Sequence, residues 1–351
     1  MNKATYTVEV PPDRVKLVEE LSSRAPLKLM IVGDTDSGKT TLATFLANEL
    51  ISLGHSVAIV DADVGQKGIL PPATISLAFP EEPFESFAEL TGVAHYFIGT
   101  VSPSQFAGEM AVGVKRLTDM ALREADVVII DTTGFVSGIG AEMKRLKAEL
   151  VRPDVMVLLE RRNELGGLAK SLSKYGEVIR LGVSELARVH SREERREVRF
   201  SKWRAYFKGA SPIEVNLGEI QVTGTSLFSG RPLTVEEKAL LEELFKWVIL
   251  AGWKGNRYTV VKADVEAVPH HYSRALQAVD FDRLSNLLVG FIDGDGLCPS
   301  LGVLKWVNFT AGTAQVLTPL DSLNGIEELR FGRMRVLETG EELGLLRREE
   351  L

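Results

Sequence analysis

From Lys28 onward, short runs of apolar, mostly β-branched residues alternate with longer stretches in which apolar positions recur every three or four residues. The runs at 29–32, 57–60, 127–130, 155–159 and 178–181 are continuous rather than alternating, the pattern of strands buried on both faces. The stretches at 39–53, 105–124 and 140–150 have the length and period of crossover helices. Strand and helix in regular alternation predict an α/β fold with a doubly wound, mostly parallel sheet. In such a sheet ligands bind beyond the carboxyl ends of the strands.

After about residue 210 the pattern changes. Runs at 215–222, 257–265, 287–292, 302–308 and 313–317, separated by glycine and asparagine turns, predict strands, and one helix is expected over 235–250. The organisation expected is therefore a short N-terminal segment (1–27), an α/β domain (28–211) and a smaller, mainly β C-terminal domain (212–351).

Composition narrows the class. Of 351 residues 45% are apolar and 25% charged, the balance of a globular protein with room for two domains. No apolar stretch approaches the roughly 20 residues of a membrane helix, and residues 1–14 lack the apolar core of a secretory signal. We therefore expect a cytoplasmic protein with no membrane partner. The single cysteine, Cys298, cannot form an intramolecular disulfide and reads as a small core residue, and the adjacent His270 and His271 read as a solvated turn after Pro269. A net charge of −7 excludes a uniformly basic surface but not a local basic groove.

The sharpest chemistry lies between the first run and the first helix. Gly33-Asp34-Thr35-Asp36-Ser37-Gly38-Lys39-Thr40 fits G-x-x-x-x-G-K-[ST] in the strand–loop–helix context that pattern requires. Glycines let the backbone wrap a phosphate chain with its N–H groups pointing inward, and the helix N-terminus adds a favourable dipole. Lys39 is expected to bridge the β- and γ-phosphates of ATP or GTP, and the Thr40 hydroxyl to ligate Mg²⁺. Two acidic stations follow the strands at 57–60 and 127–130. Asp61 and Asp63 sit in Val60-Asp61-Ala62-Asp63-Val64-Gly65-Gln66, and Asp131 opens Asp131-Thr132-Thr133-Gly134-Phe135. Carboxylates there can hold the metal or accept a proton from an attacking hydroxyl, which makes Asp61 and Asp131 candidate metal ligands. The most basic segment, 190–208, carries Arg192, Arg195, Arg196 and Arg199 at spacings of three and four, so a helix there would present them together. An arginine delivered to a transferring phosphoryl group stabilises the charge developing on its oxygens.

Taken together these stretches resemble the polynucleotide 5′-hydroxyl kinases, the family of the eukaryotic pre-mRNA cleavage-complex kinase, the pre-rRNA processing kinase and their archaeal relatives. The phosphate loop through Thr41, with its unusual Asp36, resembles the family's loop. Asp61-Ala62-Asp63-Val64-Gly65-Gln66 resembles its D-x-D-x-G-Q motif, and Asp131-Thr132-Thr133-Gly134-Phe135 its D-T-x-G-W motif with phenylalanine in place of tryptophan. Arg195-Arg196-Glu197-Val198-Arg199, followed by Arg204-Ala205-Tyr206-Phe207, resembles the arginine lid, placed at about 188–208. Residues 288–296 resemble a motif of the C-terminal domain. The resemblance implies that Asp63 activates the 5′-hydroxyl of RNA or DNA, that Gln66 and Phe135 clamp the terminal nucleotide, and that Arg195 and Arg199 act on the phosphates. It also implies a nucleic-acid contact at Ser102, in the loop 99–105, and protein partners in RNA processing.

Two other readings compete with the kinase. A GTPase or ATPase switch would be favoured by a guanine-reading N/T-K-x-D motif, but the nearest match, Val261-Lys262-Ala263-Asp264, lacks the leading residue. A nucleotide-binding scaffold of an RNA-processing assembly would not need Lys39, Asp63 and the lid arginines intact.

Overall fold

In the computed structural model, which describes residues 10–263, 274–347 and 350–351, the chain divides into two units, Met1–Lys202 and Trp203–Leu351. The first unit is built on seven strands: β1 (Leu27–Gly33), β2 (Val57–Ala62), β3 (Thr74–Ala78), β4 (Ala94–Phe97), β5 (Val127–Thr132), β6 (Val155–Glu160) and β7 (Glu177–Gly182). They form one sheet in the order β4-β3-β2-β5-β1-β6-β7. The five strands from β2 to β7 in that order run parallel, as their continuous apolarity predicts. The helices are α1 (Pro12–Ser22), α2 (Lys39–Ser52), α3 (Ala107–Ala121), α4 (Ile139–Val151), α5 (Gly166–Leu172) and α6 (Arg192–Tyr206), the last spanning the division between units.

The central strands are wholly buried, and Leu29, Ile31, Ile59, Ile129 and Val157 form one cluster with Leu42, Leu46 and Leu50 of α2 and Leu17 and Leu21 of α1. Each such side chain contributes roughly 1.5–3 kcal/mol on burial. The stretch before Lys28 thus holds a helix that the sequence pattern did not announce. The periodicity also missed β3 and β4, short strands that extend the parallel sheet antiparallel at one edge.

The second unit carries an antiparallel sheet ordered β18-β17-β14-β15-β16-β8, with β9 pairing β17; these are β8 (Ser211–Asn216), β9 (Gln221–Thr223), β14 (Leu287–Asp293), β15 (Ser300–Asn308), β16 (Thr313–Thr318), β17 (Ile326–Val336) and β18 (Glu342–Leu345). A smaller sheet joins β10 (Arg231–Pro232), β11 (Ile249–Lys254), β12 (Tyr258–Lys262) and β13 (Leu276–Asp280). The run expected at 215–222 is two strands, β8 and β9. The helix expected over 235–250 stops at Phe245: α7 (Val235–Phe245) begins with a Thr234–Glu237 capping box and ends where Lys246 takes a left-handed conformation. Cys298 is fully buried in this unit, and burial raises its thiol pKa. His270, His271 and Asp264 lie outside the described residues.

One buried polar chain in the first unit has a consequence for stability. His95 of β4 contacts Ser76 Oγ through Nδ1 at 2.8 Å, and Ser76 lies 3.2 Å from Thr74 Oγ1. Burial, with the nearby Lys67 charge, pushes the imidazole pKa down to about 4. A depressed histidine pKa contributes stability above the unfolded value near 6.5, and that contribution is lost as pH falls toward the folded value. Between pH 6.5 and 4 the wild-type protein is expected to lose on the order of 3 kcal/mol on this account. Urea unfolding across that range checks it: His95→Gln should flatten the pH dependence, and an unchanged slope would remove His95 as its source.

Candidate active site

β1 ends at Gly33 and α2 begins at Lys39, with Gly38, the residue before the helix, at φ 84° and Asp36 at φ 58°. Those two left-handed residues curl residues 34–38 around the helix N-terminus, where unpaired N–H groups and the dipole favour a phosphate. A Cβ on Gly134, in the turn after β5, would lie 2.6 Å from Thr35 N and 2.6 Å from its Cα. The two loops are therefore pressed together at a position only glycine fits.

A cavity of about 920 Å³ opens over this junction, entirely within the first unit. It is lined by Thr35 to Thr41 of the phosphate loop and helix start, by Asp63, Gly65, Gln66, Pro103, Thr133, Gly134 and Phe135 from the loops after β2, β4 and β5, and by Arg188, His190, Arg195 and Arg199. The lining also includes the apolar Val10, Pro11, Phe45, Leu159, Leu186 and Val189, together with Arg14 and Ser184. A cavity of this size that combines apolar residues with a phosphate loop matches a nucleotide with room for a second substrate.

The individual groups are well differentiated. Lys39 is buried, and its Nζ donates to the Asp34 carbonyl at 2.7 Å. Thr40 Oγ1 donates to Asp131 Oδ2 at 2.6 Å, while Asp131 Oδ1 is buried with no hydrogen-bond partner among the described residues. Burial raises the Asp131 pKa to about 7, with Asp61 and Asp63 pushing the same way and Lys39 and Thr40 opposing. An orphaned carboxylate oxygen beside a hydroxyl is a donor set for a hard cation, and Thr40 and Asp131 fit Mg²⁺. No cluster of three or more His, Cys, Asp or Glu occurs among the described residues, which suits an ion that takes its other ligands from phosphates and water.

Asp61, also expected at the metal, is held differently from Asp131. Like Asp131, it is 1% exposed and does not line the cavity. Its carboxylate accepts backbone bonds from Asp63, Gly68 and Ile69, and pairs with Lys67 Nζ at 3.2 Å. Through these bonds Asp61 anchors the 63–69 loop. Asp63 does face the cavity: Oδ1 caps Gly65 N and Gln66 N at 3.0 and 2.9 Å, and Oδ2 has no protein partner among the described residues. Ser102, expected at the nucleic acid, lies next to the cavity lining. Its neighbour Pro103 lines the cavity, but Ser102 does not; its amide donates to Thr100 Oγ1 at 3.0 Å. Gly33 and Asp34, also expected at the nucleotide, are not in the lining.

Of the four arginines expected to act together, Arg195 and Arg199 line the cavity, one turn apart on α6, while Arg192 and Arg196 are exposed. Ser191 and Glu194 start that helix with reciprocal side-chain-to-backbone bonds at 3.1 and 2.8 Å. Several members escaped the sequence reading. His190 bonds Asp36 through its backbone N–H and its ring, both at 3.0 Å. The Ser-x-x-Glu capping signature directly after it was the available signal. Lys144 of α4 is fully buried and donates to Thr133 O and Oγ1 at 2.6 and 2.8 Å, fixing the turn before Phe135. Nothing in the local pattern distinguishes that lysine from a surface one.

The two aspartates separate by experiment. Asp61→Asn leaves the Lys67 ammonium buried without its counter-charge, so urea unfolding should show a loss of about 3–5 kcal/mol. Asp131→Asn removes a poorly compensated charge and should leave stability unchanged or higher, while weakening Mg²⁺-dependent nucleotide binding in calorimetric titration. The reverse pattern would exchange their roles.

The chain is similar over its full length to several proteins. The polyribonucleotide 5′-hydroxyl kinase of Thermococcus kodakarensis is 61% identical, with 100% of both chains covered. That of Pyrococcus abyssi is 52% identical, covering 100% of this chain and 99% of the relative, and that of Methanocaldococcus jannaschii is 48% identical with the same coverage. The family described as mRNA cleavage and polyadenylation factor CLP1 P-loop matches residues 33–209. Among solved structures, wild-type Clp1p in its complex with Pcf11p has the same fold at a TM-score of 0.58, with 12% identity, covering 92% of this chain and 79% of that one.

Proposed function

We propose a reaction that follows from one premise, that the chain belongs to the polyribonucleotide 5′-hydroxyl-kinase family: transfer of the γ-phosphoryl group of ATP or GTP to the 5′-hydroxyl of RNA, with DNA as a second acceptor to be tested. The observation that carries it is the open Oδ2 of Asp63, which lines the same cavity as Gln66, Phe135 and the phosphate loop. A carboxylate fixed by two amides on one oxygen and open on the other is built to receive a proton.

The triphosphate lies along residues 35–41, its oxygens facing the loop amides and the Lys39 ammonium. The apolar Val10, Pro11, Leu186 and Val189 flank the nucleobase. Phe135 stacks on the terminal base of the acceptor, a contact worth roughly 1–3 kcal/mol, and Gln66 holds the terminal nucleotide beside it. The acceptor's O5′ attacks the γ-phosphorus in line. Its proton passes to Asp63 Oδ2 as the bond to the β,γ-bridging oxygen breaks and the nucleoside diphosphate leaves. Lys39, Arg195 and Arg199 stabilise the negative charge on the transferring group. Mg²⁺, held through Thr40 and Asp131, supplies further charge neutralisation at the phosphates when bound.

A labelled-phosphate assay tests this reading. With γ-labelled ATP or GTP and a short oligonucleotide, label should reach a 5′-hydroxyl strand and not its 5′-phosphorylated counterpart. Asp63→Asn should lower kcat by roughly 10²–10⁴ with little change in KM for the nucleotide. Label released only as free phosphate would instead establish a hydrolytic switch.

A further inference from the structure

Asp36 is an unexpected residue inside a phosphate loop. It puts a carboxylate, at a positive φ of 58°, into a loop whose task is to bind anions. In the structure that carboxylate is covered by donors from the lid. Oδ2 accepts from His190 N and from Arg195 Nη1, each at 3.0 Å, and Oδ1 meets His190 Nδ1 at 3.0 Å. Arg195 Nη1 also donates to the His190 carbonyl at 2.8 Å, and Arg161 Nη2 donates to the Asp36 carbonyl at 3.2 Å. Burial alone would raise the Asp36 pKa, but the His190 hydrogen bonds and the His190 and Arg195 charges outweigh it and hold the carboxyl below its usual range.

The geometry uses the Arg195 guanidinium asymmetrically. A guanidinium has five N–H donors in a fixed plane. Both protons of Nη1 are committed, one to Asp36 and one to His190. Nη2 and Nε have no acceptor among the described residues, on a side chain that lines the phosphate cavity. One edge of the plane is anchored and the other is left as a two-point fork, the arrangement that binds a phosphate bidentately.

We propose that Asp36 and His190 are positioning residues for Arg195: the phosphate loop carries its own carboxylate in order to dock the lid and orient the arginine's free edge toward the transferring phosphoryl group. This rests on the proposed role of Arg195 in the transfer. It gives Asp36 a function distinct from holding nucleotide, since its carboxylate would repel a phosphate that its backbone attracts. The docking also links loop and lid in one direction. A lid arginine oriented before substrate arrives costs less reorganisation when charge develops.

A double-mutant cycle between Asp36 and Arg195, read in the phosphoryl-transfer assay with kcat and KM separated, tests it. Asparagine and glycine both tolerate the left-handed backbone, so Asp36→Asn and Asp36→Gly remove the carboxylate without straining the loop. Each is expected to lower kcat roughly 10–100-fold, as loss of a supporting partner does, with the nucleotide KM within about threefold. Arg195→Ala alone is expected to lower kcat by roughly 10³. Adding Asp36→Asn to it should cost almost nothing more, because the oriented group is already gone. Effects that multiply in the double variant overturn the inference while leaving Arg195 in the mechanism. A rise in nucleotide KM at unchanged kcat in Asp36→Asn overturns it by making Asp36 part of the nucleotide cradle. If Arg195→Ala leaves kcat untouched while transfer persists, the catalytic role of Arg195 fails, and the inference with it.

Discussion

Asp61 and Asp131 stand opposite each other in the register of two parallel strands, both about 1% exposed, and much of the site follows from how that crowding of negative charge is resolved. Two carboxylates so close in a low-dielectric interior cannot both remain ionised without compensation. The protein compensates them unequally. Asp61 receives a buried lysine and three backbone amides, and becomes part of the framework. Asp131 receives one hydroxyl and keeps an oxygen bare among the described residues, the deficit that the proposed cation would fill. Asp63, two residues beyond Asp61, has left the strand; its half-exposed carboxylate is free to take up a proton. Three aspartates at one end of a sheet thus acquire three roles from burial and partners alone.

The opposite sign is distributed with similar economy. Lys67 and Lys144 are spent on backbone carbonyls and on Asp61, fixing the two loops that carry Asp63 and Phe135. Burial lowers the Lys67 ammonium pKa, against the pull of Asp61. Lys39, Arg14, Arg188, Arg195 and Arg199 line the cavity at the phosphate loop. Asp36 joins the two sets by turning the phosphate loop into an acceptor for the lid. The residues proposed for the transfer step that line the cavity then all belong to the first unit.

Much of this could be read from residues in order. The parallel strands declared themselves by unbroken apolar runs, and the phosphate loop, Asp63, Asp131, Gln66 and Phe135 by spacing and by family resemblance. What stayed hidden depends on contacts between distant positions. Asp61 and Asp63 look equivalent in sequence; only the return of the chain at Lys67, Gly68 and Ile69 distinguishes them. Arg192 and Arg196 share the spacing of Arg195 and Arg199, and only the orientation of α6 sets them on the solvent side. Val10 and Pro11 enter the cavity because α1 packs on α2, a contact that composition near the N-terminus does not reveal. β3 and β4 were missed because each is too short for its period to stand out from surrounding proline-rich turns.

The central claim is that Asp63 receives a proton and never the phosphoryl group, so that transfer occurs in one in-line step. Phosphorus stereochemistry addresses it directly. A nucleoside triphosphate made chiral at the γ-position with sulfur and oxygen isotopes should yield a 5′-thiophosphorylated RNA of inverted configuration. Retention would require two successive displacements through a phosphorylated side chain, and would contradict the assignment of Asp63 as base.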